Sequence, residues 1–263
     1  MYTPSIPKKA DSTRPLDQRL LSIFSAIYRV EIGAWYQILS CWFRSHVHPS
    51  VHGGIKGHEP LDASWDAQAD IEHALLQESD IAIASVGYFK YFDSFEHEWV
   101  HGFLVLIGFP QALADMVLDL YRGLHMTIKM GKALGEPHHY HNGCGQGDVC
   151  ALFPAIALVS GQFYMVEALF PNVRMGAVID DRNFRGDLKD IEKVYHLVHE
   201  FDIAAGQSLQ DEKTIITSTS ASKRDDIKKL DLYGHHPSCP DFFVMVGNLM
   251  TTLHKHLTIR LID

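Results

Sequence analysis

The order of strand-like and helix-like segments after residue 80 constrains the fold of this chain most. Residues 81–87 form a short apolar run with β-branched side chains, which predicts a buried strand. The pattern then predicts helix, strand, helix, strand, strand, helix and strand, at about 110–121, 125–130, 149–169, 173–179, 183–185, 187–206 and 214–217, with a further strand at 242–246. This order predicts an α+β fold in which a mixed β-sheet carries helices on one face.

The first 80 residues have a different pattern. Residues 1–15 are polar and contain several prolines, which predicts an irregular lead-in. Apolar residues recur at helical spacing over 16–43, and 63–77 also reads as helix. Residues 46–60, between these two segments, are loop-like and contain three glycines. We therefore expect two helices and a glycine-containing loop ahead of the sheet.

Composition excludes several classes of protein. With 263 residues, of which 46% are hydrophobic, the chain can form one large or two small globular domains, and disordered classes are excluded. Its 23 basic and 32 acidic residues give a net charge of −9, which argues against a protein that coats nucleic acid by positive charge alone. We find no apolar run of about 18 residues and no secretory signal. This predicts a protein that neither spans a membrane nor is secreted.

The cysteines and histidines predict neither a disulfide framework nor a zinc site. The four cysteines lie far apart without a Cys-x-x-Cys pair, which predicts reduced intracellular thiols. The 17 histidines include two groups that could bind a metal, but neither has the spacing of a zinc site. We interpret both groups as solvated loop residues. They are His138, His139 and His141, and the pair His235 and His236.

Four short motifs carry chemistry. Asp180 and Asp181 lie at the tip of a predicted hairpin, where two carboxylates can face a hard cation such as Mg²⁺. A glycine-rich loop at 143–148 opens a helix, where backbone amides can meet phosphate. Residues 90–93, Lys-Tyr-Phe-Asp, follow a strand, and Lys213 lies in the turn between a helix and a strand. Taken alone, each motif is also explained by a turn, a helix cap, a core aromatic ring or a solvated lysine.

In their order and spacing these motifs resemble the palm of a reverse transcriptase, particularly that of the non-LTR retrotransposon type. That family has a strand with an Asp followed by Phe-Asp, a Gln-Gly-Asp loop that opens a helix, and an Asp-Asp hairpin. A helix ending in Gly, a Lys and a late Gly turn follow. The resemblance covers about residues 11–250 and includes segments similar to the family's fingers and its glycine-rich connection. The segments that carry it are 14–16 with 22–29, 52–57, 87–93, 145–148, 178–181, 206–213 and Val246 with Gly247.

The resemblance implies RNA-directed DNA polymerisation, in which a primer hydroxyl attacks a nucleotide α-phosphate between two Mg²⁺ (or Mn²⁺) ions. It implies an RNA template, a DNA primer and dNTP as partners, and no membrane. The matching positions assign metal binding to Asp180 and Asp181, and a catalytic role near the phosphates to Lys213. They assign nucleotide binding to four residues, Arg14, Phe92, Gln146 and Gly147.

The chain departs from the family at the first catalytic aspartate, because the matching position is Gly87. Glycine supplies no metal ligand, so we expect nucleotidyl transfer to be impaired by orders of magnitude. Val178 replaces the usual Tyr before the Asp-Asp pair, and Gly145 replaces a Pro and should loosen its loop.

The resemblance predicts a right-hand polymerase palm with partial fingers and without the thumb. We place the partial fingers and the connection at 1–78 and the palm at 79–250, with a fingers insertion at about 94–140. Residues 251–263 are a C-terminal tail. Five basic residues are candidates for a locally basic cleft that would offset the negative net charge: Arg14, Lys56, Lys129, Lys132 and Lys213. We expect its binding of nucleic acid to be weak and sensitive to salt.

Three functions stay open. The leading hypothesis is a reverse transcriptase domain with impaired activity, and the second is an inactive nucleic-acid-binding remnant of a retroelement polymerase. Gly87 and the charge of −9 favour the second. The third is an unrelated Mg²⁺-dependent phosphohydrolase built on Asp180 and Asp181, which leaves the Gln-Gly loop and Lys213 unexplained. The usual location of the family implies the nucleus or cytoplasm for this chain. The oligomeric state is open.

Overall fold

The chain divides into two units that are each continuous in space but not in sequence. The computed structural model describes residues 1–8, 14, 17–233, 235–240, 242–245 and 248–251. The first unit comprises residues 1–45 and 90–157, and the second comprises 46–89 and 158–263. The expected partition at residues 78 and 250 follows the family's palm and fingers, and it stays a prediction. Pro15, Leu16, Val246 and Gly247, which belong to the matched motifs, lie outside the described residues.

The described residues form seven α-helices and ten strands. The helices are α1 (Ala26–His46), α2 (Pro60–Leu76), α3 (His97–Leu106), α4 (Gln111–Gly123), α5 (Leu152–Leu169), α6 (Leu188–Ala204) and α7 (Ala221–Ile227). The strands are β1 (Tyr2–Pro7), β2 (Gln18–Leu20), β3 (Ala82–Val86), β4 (His125–Met130), β5 (Ala133–His139), β6 (Arg174–Val178), β7 (Asp181–Gly186), β8 (Ile215–Ser218), β9 (Phe242–Met245) and β10 (Asn248–Thr251).

In the first unit, Tyr2–Pro7 is a strand, so the expectation of an irregular lead-in is wrong for these residues. β1 pairs antiparallel with β2 and parallel with β4, with Tyr2 opposite Thr127, in a sheet of order β2-β1-β4-β5. The predicted helix over 16–43 also begins later, at Ala26, because Gln18–Leu20 pairs with β1. Both differences arise from pairing between distant segments, which local periodicity does not contain.

Asp148 anchors the entry to α5 in the first unit. Its carboxylate accepts hydrogen bonds from the Cys150 amide at 3.1 Å, the Tyr28 hydroxyl at 3.0 Å and the Tyr121 hydroxyl at 2.7 Å. Burial raises the pKa of the Asp148 carboxyl, and these donors oppose the rise. One buried carboxylate thus connects α1, α4 and the turn before α5.

The second unit is built around a four-stranded sheet of order β6-β7-β3-β8, which we call the central sheet. Each of its three ladders is antiparallel. Parallel contacts to the sheet are two isolated bridges, Val51 with Ala177 and Ile215 with Ser238. The sequence predicts a mixed sheet, whereas the three ladders of the central sheet are all antiparallel.

Helices pack on both faces of the central sheet, so the prediction of helices on one face is wrong. On one face, Ile71 of α2 packs in a buried cluster with Ile83 of β3, and Asp70 of α2 accepts a hydrogen bond from Arg185 of β7 at 2.7 Å. On the other face, the Phe163 ring of α5 lies 5.7 Å from the Phe184 ring of β7. Side chains alternate along a strand, so Phe184 and Arg185 point to opposite faces.

A buried polar network connects the central sheet to α5 and α6 on one of its faces. Arg182 and Asp202 form an ion pair at 3.1 Å, with side chains 0% and 1% exposed. Asp202 also accepts hydrogen bonds from the Tyr88 hydroxyl at 2.7 Å and the Gln162 amide at 3.1 Å. The guanidinium lies 4.4 Å from the centre of the Tyr88 ring, a cation–π contact. Strands β7 and β3 are thereby connected to α5 and α6 through a single carboxylate.

The segment Val149–Leu169 is long and apolar enough to cross a membrane by length and composition alone. In the structure, 72% of its most apolar window is buried within the protein, which accounts for that composition. The sequence predicts no segment apolar enough to span a membrane. By its composition, this helix contradicts that prediction. The four cysteines are free thiols, as the sequence predicts.

Asp202→Ala is expected to destabilise the protein by about 3–5 kcal/mol, because it leaves the buried Arg182 charge without its carboxylate. Urea unfolding measures the loss. Asp225→Ala is the matched control, since Asp225 forms an exposed pair with Lys228 and should cost less than about 1 kcal/mol. Equal losses for the two variants would show that the network contributes nothing beyond a surface ion pair.

Asp148→Asn is expected to lower the free energy of unfolding, relative to the unsubstituted protein, by less at about pH 7 than at about pH 4. Because burial raises the folded-state pKa of Asp148, the unfolded chain loses its proton first as the pH rises. The native protein therefore loses stability between the ordinary carboxyl pKa and the raised one, whereas the asparagine does not titrate. Urea unfolding of both proteins at the two pH values tests this, and a deficit that grows with pH contradicts it.

Candidate active site

A two-residue turn presents the paired carboxylates at one end of the central sheet. Val178 of β6 lies opposite Asp181 of β7, so the chain reverses over Ile179 and Asp180. Ile179 has a φ of 57°, a left-handed conformation that costs a β-branched residue about 1–3 kcal/mol. The antiparallel pairing on both sides of the turn sustains this strain.

The glycine-containing loop before α2 packs directly on this turn. Val51 bridges to Ala177, and the His52 amide donates a hydrogen bond to the Ala177 carbonyl at 2.8 Å. A Cβ atom at Gly53 would lie 2.6 Å from Ile179 Cγ1 and 2.8 Å from the Ile179 nitrogen. The loop therefore reaches the turn only because residue 53 has no side chain. The sequence predicts that Gly53 lies in a loop but gives no signal for this contact.

Gly87 lies beside the paired carboxylates. β3 ends at Val86, opposite Arg182, and the same register places Gly87 opposite Asp181. Neighbouring strands are about 4.8 Å apart, so a side chain at position 87 would start next to that of Asp181. The position matches the one expected for a first carboxylate, but glycine supplies no oxygen ligand.

Lys213 lies on the other side of Gly87. The ladder of β3 with β8 ends with Ser85 opposite Ile215, and a Cβ atom at Gly87 would lie 2.8 Å from Lys213 Cβ. The Gln210 amide donates a hydrogen bond to the Gly87 carbonyl at 2.8 Å, and this bond belongs to the bridge of Tyr88 with Leu209, in a register different from that of the ladder. The three predicted catalytic residues and Gly87 therefore meet at one end of the central sheet.

The electrostatic environment at this end is mixed. The pKa of Asp181 is raised, first by loss of part of its hydration and then by the charge of Asp180, and the Lys213 ammonium lowers it. Asp180 is half-buried, and Asp181 is exposed. Together these two carboxylates could hold a hard divalent cation such as Mg²⁺ or Mn²⁺.

The donors at this site do not fit the two-ion arrangement that the resemblance implies. In the part of the chain that the structure describes, no group of three or more His, Cys, Asp or Glu side chains could hold a metal ion. A pair of ions shared between carboxylates needs a ligand at position 87 as well as Asp180 and Asp181, and Gly87 provides none.

The first unit brings three of the four predicted nucleotide-binding residues together. The Gln146 side chain donates a hydrogen bond to the Asp93 carboxylate at 3.2 Å, and the Cys144 amide donates to the Phe92 carbonyl at 2.6 Å. The loop at 143–148, which includes exposed Gly147, therefore lies against the turn that carries Phe92. Asp93 belongs to the Lys-Tyr-Phe-Asp motif but is absent from the predicted nucleotide-binding residues, and the structure adds it through its contact with Gln146.

The other contacts of these residues are structural. The half-buried Phe92 ring meets the Tyr91 ring edge-on at 5.3 Å, which is also how a core aromatic packs. Arg14 is exposed, and its carbonyl accepts hydrogen bonds from the Asp17 amide at 3.1 Å and the Gln18 side chain at 3.5 Å. These two bonds join Arg14 to Asp17 and Gln18.

The first histidine group lies at the end of the hairpin formed by β4 and β5. The His139 ring lies 4.0 Å from that of His125 and 5.8 Å from that of His141. All three side chains, and that of His138, are exposed. His236 bonds through Nδ1 to the Leu230 carbonyl at 2.7 Å.

Comparison with known proteins identifies the fold but not a family. No protein-family model and no curated protein matches the chain. Among solved structures, the apo telomerase of Candida tropicalis truncated from its C-terminal domain is similar, with a TM-score of 0.61 at 12% identity over 89% of this chain and 45% of that chain. The telomerase of the same organism in complex with the TWJ fragment of telomeric RNA has a TM-score of 0.61 at 13% identity over 89% of this chain and 37% of that one.

A further apo telomerase structure from Candida tropicalis gives a TM-score of 0.58 at 11% identity, over 88% of this chain and 40% of that one. The chain thus spans less than half the length of these telomerase chains. The likeness does not distinguish the non-LTR retrotransposon type from other branches of the polymerase family. Telomerase is a polymerase related to reverse transcriptases, and the chain has a reverse-transcriptase-like polymerase fold.

Proposed function

We propose that this chain is a reverse transcriptase domain whose template-directed nucleotidyl transfer is strongly impaired. The observation that carries the proposal is Gly87, which the register of β3 with β7 sets beside Asp181, where the resemblance implies a first catalytic carboxylate. The order of the matched motifs and the telomerase-like fold support the polymerase ancestry. The motif order also supports an origin in a non-LTR retrotransposon. For the location of the protein, the nucleus or cytoplasm, the only support is the usual location of the family.

The partners we propose are an RNA template, a DNA primer and dNTP. The telomerase structure with a fragment of telomeric RNA supports nucleic acid as the ligand of this fold. The basic residues that we propose to contact phosphates are all exposed: Arg14, Lys56, Lys129, Lys132 and Lys213. With a net charge of −9, the surrounding protein opposes this contact, so binding is weak and falls steeply with salt.

In this proposal the chain's own groups bind and orient substrate. Asp180 and Asp181 are the residues that would hold Mg²⁺ or Mn²⁺, and Lys213 contributes positive charge beside them. Gln146 is oriented by its hydrogen bond to Asp93, and Phe92 presents a ring for the sugar of a nucleotide. We derive no two-ion step, because Gly87 leaves the ligand set incomplete.

A second candidate function is a nucleic-acid-binding module without catalysis. The observation that favours it is the Lys213 side chain, which a Cβ atom at position 87 would meet at 2.8 Å. The site is therefore adapted to glycine at this position. A phosphohydrolase built on Asp180 and Asp181 gains no support from the fold.

Primer extension on an RNA template separates the two functions. We expect the full chain to extend a DNA primer at least about 10²–10³-fold more slowly than an active reverse transcriptase, because one electrostatic stabiliser of the transition state is missing. Any residual extension in Mg²⁺ or Mn²⁺ should disappear in Asp180→Ala. Residual extension that depends on Asp180 supports an impaired enzyme, and none supports the binding module. Extension at the rate of an active enzyme contradicts both.

Binding of an RNA–DNA primer-template is expected to weaken in the double variant Lys129→Glu/Lys132→Glu. The slope of the log binding constant against the log salt concentration should become shallower by about one unit for each phosphate contact removed. Lys228→Glu/Lys229→Glu is the charge-matched control, because these lysines are exposed and already pair with Asp225 and Asp226. Fluorescence anisotropy at several salt concentrations measures both. Equal weakening in the two variants would mean that only net charge matters.

A further inference from the structure

Position 87 and Lys213 compete for the same space at the end of the central sheet. A Cβ atom at Gly87 would lie 2.8 Å from Lys213 Cβ, 3.0 Å from Cδ and 3.5 Å from Cγ. Carbon atoms that are not bonded to each other pack best at about 3.5–4.0 Å. The Lys213 stem therefore lies across the glycine, in the volume where the side chain of a first carboxylate would begin.

The clash cannot be removed by a change of rotamer. Rotation about the side-chain bonds of Lys213 moves its Cγ and Cδ atoms, but Cβ is fixed by the backbone. That backbone is tied to Gly87, since the Gln210 amide donates to the Gly87 carbonyl at 2.8 Å, and the Lys213 amide donates to the Gln210 carbonyl at 2.9 Å. A side chain at position 87 therefore requires the segment 210–213 to move away from β3.

We propose that Gly87 and Lys213 form a coupled pair, in which the Lys213 stem fills the space where a carboxylate side chain at position 87 would begin. A carboxylate introduced at position 87 alone does not complete a metal site with Asp180 and Asp181, and it can do so only when Lys213 is also replaced by a smaller residue. The inference rests on the proposed function only for identifying position 87 with the first catalytic carboxylate.

Mn²⁺ binding to the full-length chain, measured from the spectrum of free Mn²⁺ by electron paramagnetic resonance, tests the coupling. The variants are Gly87→Asp, Lys213→Gly and the double variant Gly87→Asp/Lys213→Gly. Glycine is chosen at position 213 because the shortest contact is with Cβ, which alanine would retain. We expect the double variant to bind Mn²⁺ at least about ten-fold more tightly than Gly87→Asp. Its gain in affinity over the unsubstituted protein should exceed the product of the gains of the two single variants.

Thermal unfolding provides a readout that does not depend on metal. Gly87→Asp should lower the melting temperature more than Gly102→Asp, since a Cβ atom at Gly102 meets nothing within 4 Å. Lys213→Gly should recover part of the Gly87→Asp loss. If Gly87→Asp does not fold, Gly87→Ala with and without Lys213→Gly gives the same cycle with the smallest side chain.

Two results overturn the proposal. One is Mn²⁺ binding by Gly87→Asp as tight as by the double variant, together with no thermal loss relative to Gly102→Asp. The other is tight binding that survives Asp180→Asn/Asp181→Asn, which places the ion elsewhere. Failure of the proposed function is seen separately, because the absence of RNA binding would leave both the Mn²⁺ coupling and the thermal cycle unchanged.

Discussion

The position of β3 between β7 and β8 is the constraint on which the rest of the second unit depends. Because strand side chains alternate with a period of two, one register decides what lies on each face. It places Gly87 between Asp181 and Lys213 on one face, and it directs Tyr88 and Arg182 to the other, where both contact Asp202. A slip of one residue would bury Asp181 and expose Arg182. The buried network and the candidate active site are therefore two consequences of the same pairing.

The network in turn secures the turn that carries the carboxylates. A buried ion pair is a weak source of net stability, since desolvation offsets most of its Coulomb attraction. Its hydrogen bonds nevertheless restrict Arg182 to one place, directly after Asp181. On the opposite side of the turn, the close approach of Gly53 limits where Ile179 can move. The strained φ of Ile179 is thus sustained by neighbours on both sides, as expected where strain is retained in a fold.

Much of the second unit could be predicted from the sequence, because its elements have strong local signals. The hairpin of β6 and β7 follows from the apolar run before Asp180 and the predicted return strand at 183–185. The helix predicted at 187–206 is α6, and the Asp187 carboxylate caps its Lys189 amide at 2.9 Å. The parallel pairing of β1 with β4 joins residues more than a hundred positions apart, so no local pattern reports it. The second helical face was missed for the same reason, since the buried pair of Asp70 and Arg185 is encoded in two distant segments.

Motif spacing predicts Asp180, Asp181 and Lys213 as site residues and Gly87 as the position of a missing ligand, and the structure brings these four residues to one end of the central sheet. The spacing could not show that the missing side chain and the Lys213 stem exclude each other, because that depends on how closely β8 approaches β3 beyond the last ladder pair. In the proposed coupling, a carboxylate introduced at position 87 meets a backbone that already packs against the glycine. A single substitution there must therefore overcome packing before it can add a ligand.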